Sequence, residues 1–207
     1  METVYIVDDD ANFARSIARL VQVSGWSVQV FGSAADFLAR HQAADGDGCM
    51  LLDVRMPGMR GPELQRAMAA AGIEMPVIFL TGHGDIPTSV DAMKQGAVDF
   101  LEKPVRAEVL VAAIRQALAR HAEARARAAE REALKQRVAR LSPREYEVMA
   151  HVVAGRLNKQ IAAELGISEK TVKVHRGKVM EKMEASSLAA LVDLCRAAGI
   201  ADHGRPR

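Results

Sequence analysis

Short apolar runs alternate with helix-like patterns through the first 118 residues. The runs VYIV (4–7), SVQVF (27–31), CMLL (49–52), PVIFL (76–80) and VDFL (98–101) are strand candidates. The first, third and fourth are continuously apolar, as parallel strands covered on both faces should be. Helical patterns near 11–24, 34–41, 61–71 and 86–95 lie between them. Five strand–helix units of this size predict a small doubly wound α/β domain with a five-stranded parallel sheet. Right-handed crossovers then bring the carboxyl ends of all five strands to one edge.

From about residue 106 the pattern changes to one long helix, with neither Gly nor Pro before Pro143. Its middle, 119–140, is rich in Ala, Arg and Glu and only weakly apolar, which suggests a solvated linker helix or half of a coiled coil. Beyond it, residues 141–207 show helix patterns only. In LSPRE (141–145), Ser142 fits an N-cap, Pro143 the first turn and Glu145 the N3 end of a capping box. AELGISEKTV (163–172) is a helix end, a turn at Gly166 and a new N-cap at Ser168, the spacing of a helix-turn-helix. In the last helix, about 187–198, Leu188, Leu191, Val192 and Cys195 form a stripe suited to core or to a dimer surface. Three segments are therefore expected: 1–118, a helical linker 119–140, and a small all-α four-helix domain 141–207.

Composition sharpens this division. Hydrophobic residues make up 49% of the 207, enough for real cores, but aromatics only 4%. The overall charge of +2 hides an asymmetry: residues 1–118 carry net −5, 119–140 net +4 and 141–207 net +3. An acidic first part joined to a basic second part implies two tasks, the second of them nucleic-acid binding. Cys49 and Cys195 sit among apolar residues and read as buried thiols, which excludes a disulfide framework or a zinc site. No apolar run approaches the length of a membrane span, and the N-terminus lacks a signal-peptide pattern, so a cytoplasmic location without membrane contact is expected.

The candidate chemistry lies at the strand ends. Asp8, Asp9 and Asp10 follow the first run, Asp53 the third, Thr81 the fourth and Lys103 the fifth. In an open α/β sheet, ligands bind beyond the carboxyl ends of the strands. Two carboxylates ~4 Å apart repel by about 4 kcal/mol at an effective dielectric near 20. A divalent cation such as Mg²⁺ removes that cost, and a lysine with a hydroxyl suits an incoming phosphoryl group. Asp10 is instead placed to cap the helix that begins at Ala11. His83, between two glycines, reads as conformational rather than catalytic.

The set VDDD, LLDVRMPG, LTGHGD and FLEKP, in that order, resembles the receiver signature of bacterial two-component response regulators of the NarL/FixJ type. The resemblance extends over essentially the whole chain and implies a flavodoxin-like receiver. It implies that Asp53 accepts a phosphoryl group from a sensor histidine kinase. Asp8, Asp9 and Asp53, with the backbone carbonyl of Arg55, would hold Mg²⁺. Thr81 and Lys103 would contact the phosphoryl oxygens. Phe100 stands where the family carries a switch aromatic, often Tyr; lacking a hydroxyl, it must switch by burial alone. The receiver face formed by the fourth helix, fifth strand and fifth helix is implied as the dimer surface on phosphorylation.

Residues 141–183 similarly resemble the LuxR-type helix-turn-helix, through TVKVH and through Gly155, Asn158, Ile161 and Ala162. Val172, Val179 and Met183 should pack inward. Lys173 and Val174 would meet base edges of promoter DNA, while Lys170, Thr171, Arg176 and Lys178 would touch phosphates. Gly177 departs from relatives that carry a base-reading Lys there, so their operator preference does not transfer. The expected protein is a transcription factor rather than an enzyme, with kinase, double-stranded DNA and RNA polymerase as partners. Two rivals stand beside it: a Mg²⁺-dependent phosphohydrolase with an Asp53 nucleophile, and a receiver that acts only through protein contacts. Arg at position 55, where such hydrolases need a second Asp, weakens the first, and the basic helix weakens the second.

Overall fold

All five apolar runs form strands: β1 Thr3–Val7, β2 Ser27–Phe31, β3 Gly48–Asp53, β4 Val77–Thr81 and β5 Asp99–Glu102. The computed structural model describes residues 2–41, 48–82, 96–197 and 199. The strands pair in parallel in the order β2-β1-β3-β4-β5. The three continuously apolar runs are the central strands and are buried at every position. The two mixed runs are the edges, and Gln29 and Val30 of β2 are exposed. Period and burial therefore agree, because only a central parallel strand is covered on both faces.

The helices of this part are α1 Ala11–Val23, α2 Ala34–Arg40 and α3 Gly61–Ala70. The expected helix at 86–95, and with it part of the implied dimer face, lies outside the described residues, as does His83. Two cores form, one on each sheet face. Val4, Ile6, Cys49, Leu51, Ile78 and Leu80 meet α1 on one side, together with the start of a long helix, α4 Ala107–Ala139. Tyr5, Val7, Met50, Leu52 and Phe79 meet α2 and α3 on the other. The alternation of Cβ directions along a strand sends successive residues to opposite cores.

The chain divides into two compact units at Ala124 and Arg125, inside α4. The second unit contains α5 Pro143–Val153, α6 Asn158–Leu165, α7 Glu169–Lys182 and α8 Leu188–Ala197, the four helices expected. Ser142 caps α5 in a capping box with Glu145, as its sequence implied. Gly166 ends α6 at φ 65°, a left-handed conformation that glycine adopts without a Cβ penalty. Val172, Val179 and Met183 are buried, as are Leu191 and Cys195. The last-helix stripe is split, since Leu188 is exposed.

The 119–140 stretch is more than a solvated connector. Residues 122–133 are exposed, but Leu134 is buried in the core of the second unit, with Val138 and Leu141 packed against it. Two polar contacts reinforce the packing. Arg137 pairs with Glu184 at 2.6 Å, and Lys182 Nζ donates to the carbonyl of Arg140 at 3.1 Å. A four-helix unit this small has little interior, and the end of α4 supplies part of its core.

Candidate functional site

The strand register builds the acidic site. Val7 of β1 lies beside Leu52 of β3, so the residues that follow them, Asp8 and Asp53, emerge side by side. Asp8, Asp9 and Asp53 each offer a carboxylate oxygen within 4.8 Å of the others. Asp8 and Asp53 are buried and Asp9 is exposed. Burial pushes the Asp8 carboxyl above its ordinary range, while Lys103 and the Asp10 N–H pull the other way. Such a group is costly as a lone anion and is stabilised by a nearby cation.

Lys103 provides that cation within the chain. Its Nζ donates to Asp8 Oδ2 at 2.6 Å and lies 3.2 Å from Asp53 Oδ2. Its backbone N–H donates to the Thr81 carbonyl at 2.7 Å, fixing the residue at the end of β4. The Lys103–Pro104 peptide is cis. Thr81 is buried, and its hydroxyl donates to the Gly82 carbonyl at 2.8 Å. The Arg55 N–H donates to Asp53 Oδ1 at 3.3 Å, which places the Arg55 backbone at the same carboxylate. Phe100 is half-buried, its ring 5.8 Å from that of Phe79. Asp8, Asp9, Asp53 and Lys103 thus come together at the carboxyl edge of the sheet, where β4 also ends at Thr81, whereas Phe100 lies one step back, beside Phe79 within the strands.

Asp10 stands apart from the cluster in role. Its Oδ1 accepts from the N–H groups of Asn12 and Phe13, which makes it the N-cap of α1. Those bonds hold its carboxyl below the usual range. Asp10 N–H also donates to Asp8 Oδ1 at 3.0 Å, tying the cap to the acid pair.

Nothing in the sequence singles out two neighbours that complete the site. The Phe13 ring lies under the Lys103 ammonium, 4.2 Å from Nζ to centroid. Gly61, the first residue of α3, donates its N–H to the Val54 carbonyl at 3.1 Å, and a Cβ there would lie 2.4 Å from the Asp53 carbonyl oxygen. MPGMRG (56–61) carries the second signal only as a glycine after a turn; the first needs a tertiary contact that no local pattern contains.

In the second unit, α7 presents Lys170, Lys173, Val174 and Lys178 to solvent, with Val174 52% exposed amid charged neighbours. The other two candidates are engaged within the chain. The Thr171 hydroxyl is 2.8 Å from that of Ser168, the N-cap. Arg176 donates to Asn158 Oδ1 at 2.6 Å, joining the two helices of the helix-turn-helix. Glu145, buried behind α7, accepts from Lys182 Nζ at 2.6 Å and from the Ser142 N–H, and its carboxyl falls to about 2. Cys49 and Cys195 are buried free thiols, and burial pushes Cys49 to about 12. No helix among the described residues is long and apolar enough to cross a membrane.

Comparison with known proteins matches the two parts of the chain separately and together. Residues 4–115 match the response regulator receiver domain, and 139–195 match the luxR family of bacterial regulatory proteins. The chain is 46% identical over 201 residues to nodulation protein W of Bradyrhizobium diazoefficiens, covering 97% of this chain and 88% of that one. It is 46% identical over 198 residues to the transcriptional regulatory protein FixJ of Azorhizobium caulinodans, covering 96% and 93%. Among solved structures, the response regulator StyR superposes with a TM-score of 0.85 at 43% identity, over 94% of this chain and 98% of that one. The two domain matches and the full-length relatives together settle the membership: the protein belongs to the family of response regulators that join a receiver domain to a LuxR-type DNA-binding domain.

Proposed function

We propose that Asp53 accepts a phosphoryl group from a sensor histidine kinase and that this controls binding of α7 to promoter DNA. The observation that carries the reading is the convergence of Asp8, Asp9, Asp53 and Lys103. One buried carboxylate pair with one lysine is a site short of positive charge, and the donor set is all oxygen. It fits Mg²⁺, held by Asp8, Asp9, Asp53 and the Arg55 carbonyl, which when bound neutralises the carboxylates and the phosphoryl oxygens.

The chain's own groups then perform the transfer. An Asp53 carboxylate oxygen attacks phosphorus, the bond from phosphorus to the kinase histidine nitrogen breaks, and an acyl phosphate forms. The Lys103 ammonium, already 3.2 Å from Asp53, meets the developing charge. Thr81 turns its hydroxyl from Gly82 to a phosphoryl oxygen, and Phe100 moves deeper against Phe79. This arrangement serves a phosphorylated switch, not hydrolysis of a small ester, because Arg occupies position 55.

On DNA, Lys173 and Val174 are the base-reading pair, Val174 being an exposed apolar group suited to a thymine methyl. Lys170, Thr171, Arg176 and Lys178 serve the phosphates, with Arg176 pre-oriented by Asn158. Phosphorylation promotes pairing through the receiver, and two tethered basic helices then match a two-fold site, where RNA polymerase is recruited. The site belongs in the cytoplasm, where kinase and promoter are both accessible. Incubation of the wild type and Asp53→Asn with radiolabelled acetyl phosphate and Mg²⁺ tests the acceptor. Acid-stable, base-labile label on the wild type alone is expected; equal labelling of Asp53→Asn overturns the assignment.

A further inference from the structure

We propose that Phe13 is a positioning residue that holds the Lys103 ammonium against the acid cluster; this rests on the reading of Asp53 as acceptor. Among the described residues, the tip of Lys103 meets Asp8 at 2.6 Å, Asp53 at 3.2 Å and the Phe13 ring centroid at 4.2 Å. A cation within about 6 Å of a ring face is attracted by the ring quadrupole. Only 18% of the Lys103 side chain is exposed, so water competes poorly for that contact.

The ring differs in kind from the two carboxylates. Asp8 and Asp53 are the groups that a cation or a phosphoryl group engages, so their hold on Lys103 changes through the cycle. Phe13 neither titrates nor binds metal, and its hold is constant. A lysine stem has four rotatable bonds and loses rotamer entropy when it is fixed. A permanent third contact keeps the ammonium at Asp53 when Asp8 is taken by another cation.

The placement of the ring is itself determined by the acid loop. Asp8 Oδ1 accepts from Asp10 N–H at 3.0 Å, and Asp10 Oδ1 accepts from the N–H of Phe13 at 3.1 Å. This hydrogen-bonded run sets the first turn of α1, and with it the Phe13 Cα, relative to the carboxylates. The ring also packs on the core between α1 and the sheet. A purely structural role would be filled almost as well by Leu; holding an ammonium requires an aromatic face.

The test uses the full chain in four forms: wild type, Phe13→Leu, Lys103→Met and the double variant. Urea unfolding of the receiver is followed by Trp26 fluorescence in EDTA. The change in unfolding constant caused by Phe13→Leu should shrink by about five- to thirtyfold when Lys103 is already Met. The second readout is the initial rate of labelling by acetyl phosphate with Mg²⁺. In that step an Asp53 oxygen bonds to phosphorus and acetate leaves with the electron pair of the broken P–O bond. Phe13→Leu should lower the rate about fivefold, and Phe13→Tyr should restore it.

A cycle additive within twofold overturns the proposal, because lost packing would then explain the whole effect. So does a Phe13→Tyr variant that labels as slowly as Phe13→Leu. Absence of label on the wild type would refute Asp53 as acceptor, while the metal-free cycle would still decide whether Phe13 holds Lys103.

Discussion

Replacing Lys103 by Met should destabilise the metal-free receiver at neutral pH and make it more responsive to Mg²⁺. The substitution keeps the apolar stem and removes the charge. Asp8 has a fully buried side chain, and its bond to Lys103 is 2.6 Å long. Asp53, with 11% of its side chain exposed, is 3.2 Å from the same nitrogen. Removing one partner of a buried ion pair typically costs 3–5 kcal/mol. The lower end applies here, about 3 kcal/mol at pH 7, because Asp8 can escape by protonation. Burial already raises its carboxyl, and losing the lysine raises it further.

That raised value fixes the sign of the pH dependence. The folded variant binds a proton at Asp8 that the unfolded chain, with an ordinary carboxyl near 3.8, does not. Its stability is therefore lost as pH rises through the folded value and regained as pH falls toward 3.8. Urea unfolding in EDTA at pH 7 and pH 5, followed by Trp26 fluorescence, should show the gap to wild type narrowing at the lower pH. Mg²⁺ should then narrow it at pH 7. With the ammonium gone, the cation no longer competes with Lys103 for two carboxylates, so its dissociation constant falls. At tenfold excess over that constant, binding adds about 1.4 kcal/mol to the folded state. A variant as stable as wild type in EDTA at pH 7 would refute the reasoning, as would weaker Mg²⁺ binding.

Three other outcomes follow from contacts elsewhere. Gly61→Ala should slow acetyl phosphate labelling at least tenfold by displacing Asp53, whereas Gly48→Ala, whose Cβ would lie 2.0 Å from the Thr3 carbonyl, should lower stability with much less effect on the labelling of folded protein; equal effects would remove Gly61 from the site. Gly177→Ala should stabilise α7 by up to ~1 kcal/mol, since a Cβ there meets open space, and amide exchange within α7 would register the gain. Glu145→Gln should flatten the acid sensitivity of the second unit. The low Glu145 carboxyl contributes stability above its ordinary 4.5 that is lost as pH falls toward about 2, so amide protection in α5 and α7 should respond to pH over that window in wild type only.

How far the sequence reveals this protein depends on the range of the interaction concerned. Strand identity was legible because burial on both faces leaves an unbroken apolar run, and VYIV, CMLL and PVIFL are the three central strands. The acid cluster was legible because parallel topology forces Asp8 and Asp53 to one edge once the strands are known. The caps at Asp10, Ser142 and Ser168 were legible because a cap acts within three residues. Leu134 was less so: Leu134, Val138 and Leu141 keep helical spacing, but three apolar residues at the end of an Ala/Arg/Glu stretch do not reveal what covers them, and only the core of the second unit gives them a place. Phe13 was hidden for a related reason. It packs on the core between α1 and the sheet, yet its contact with Lys103 spans 90 positions and joins an apolar residue to a charged one. Patterns of polarity sort such residues into different classes and so cannot pair them. A cation–π contact beside an acid cluster is a tertiary fact, and no signature motif contains it.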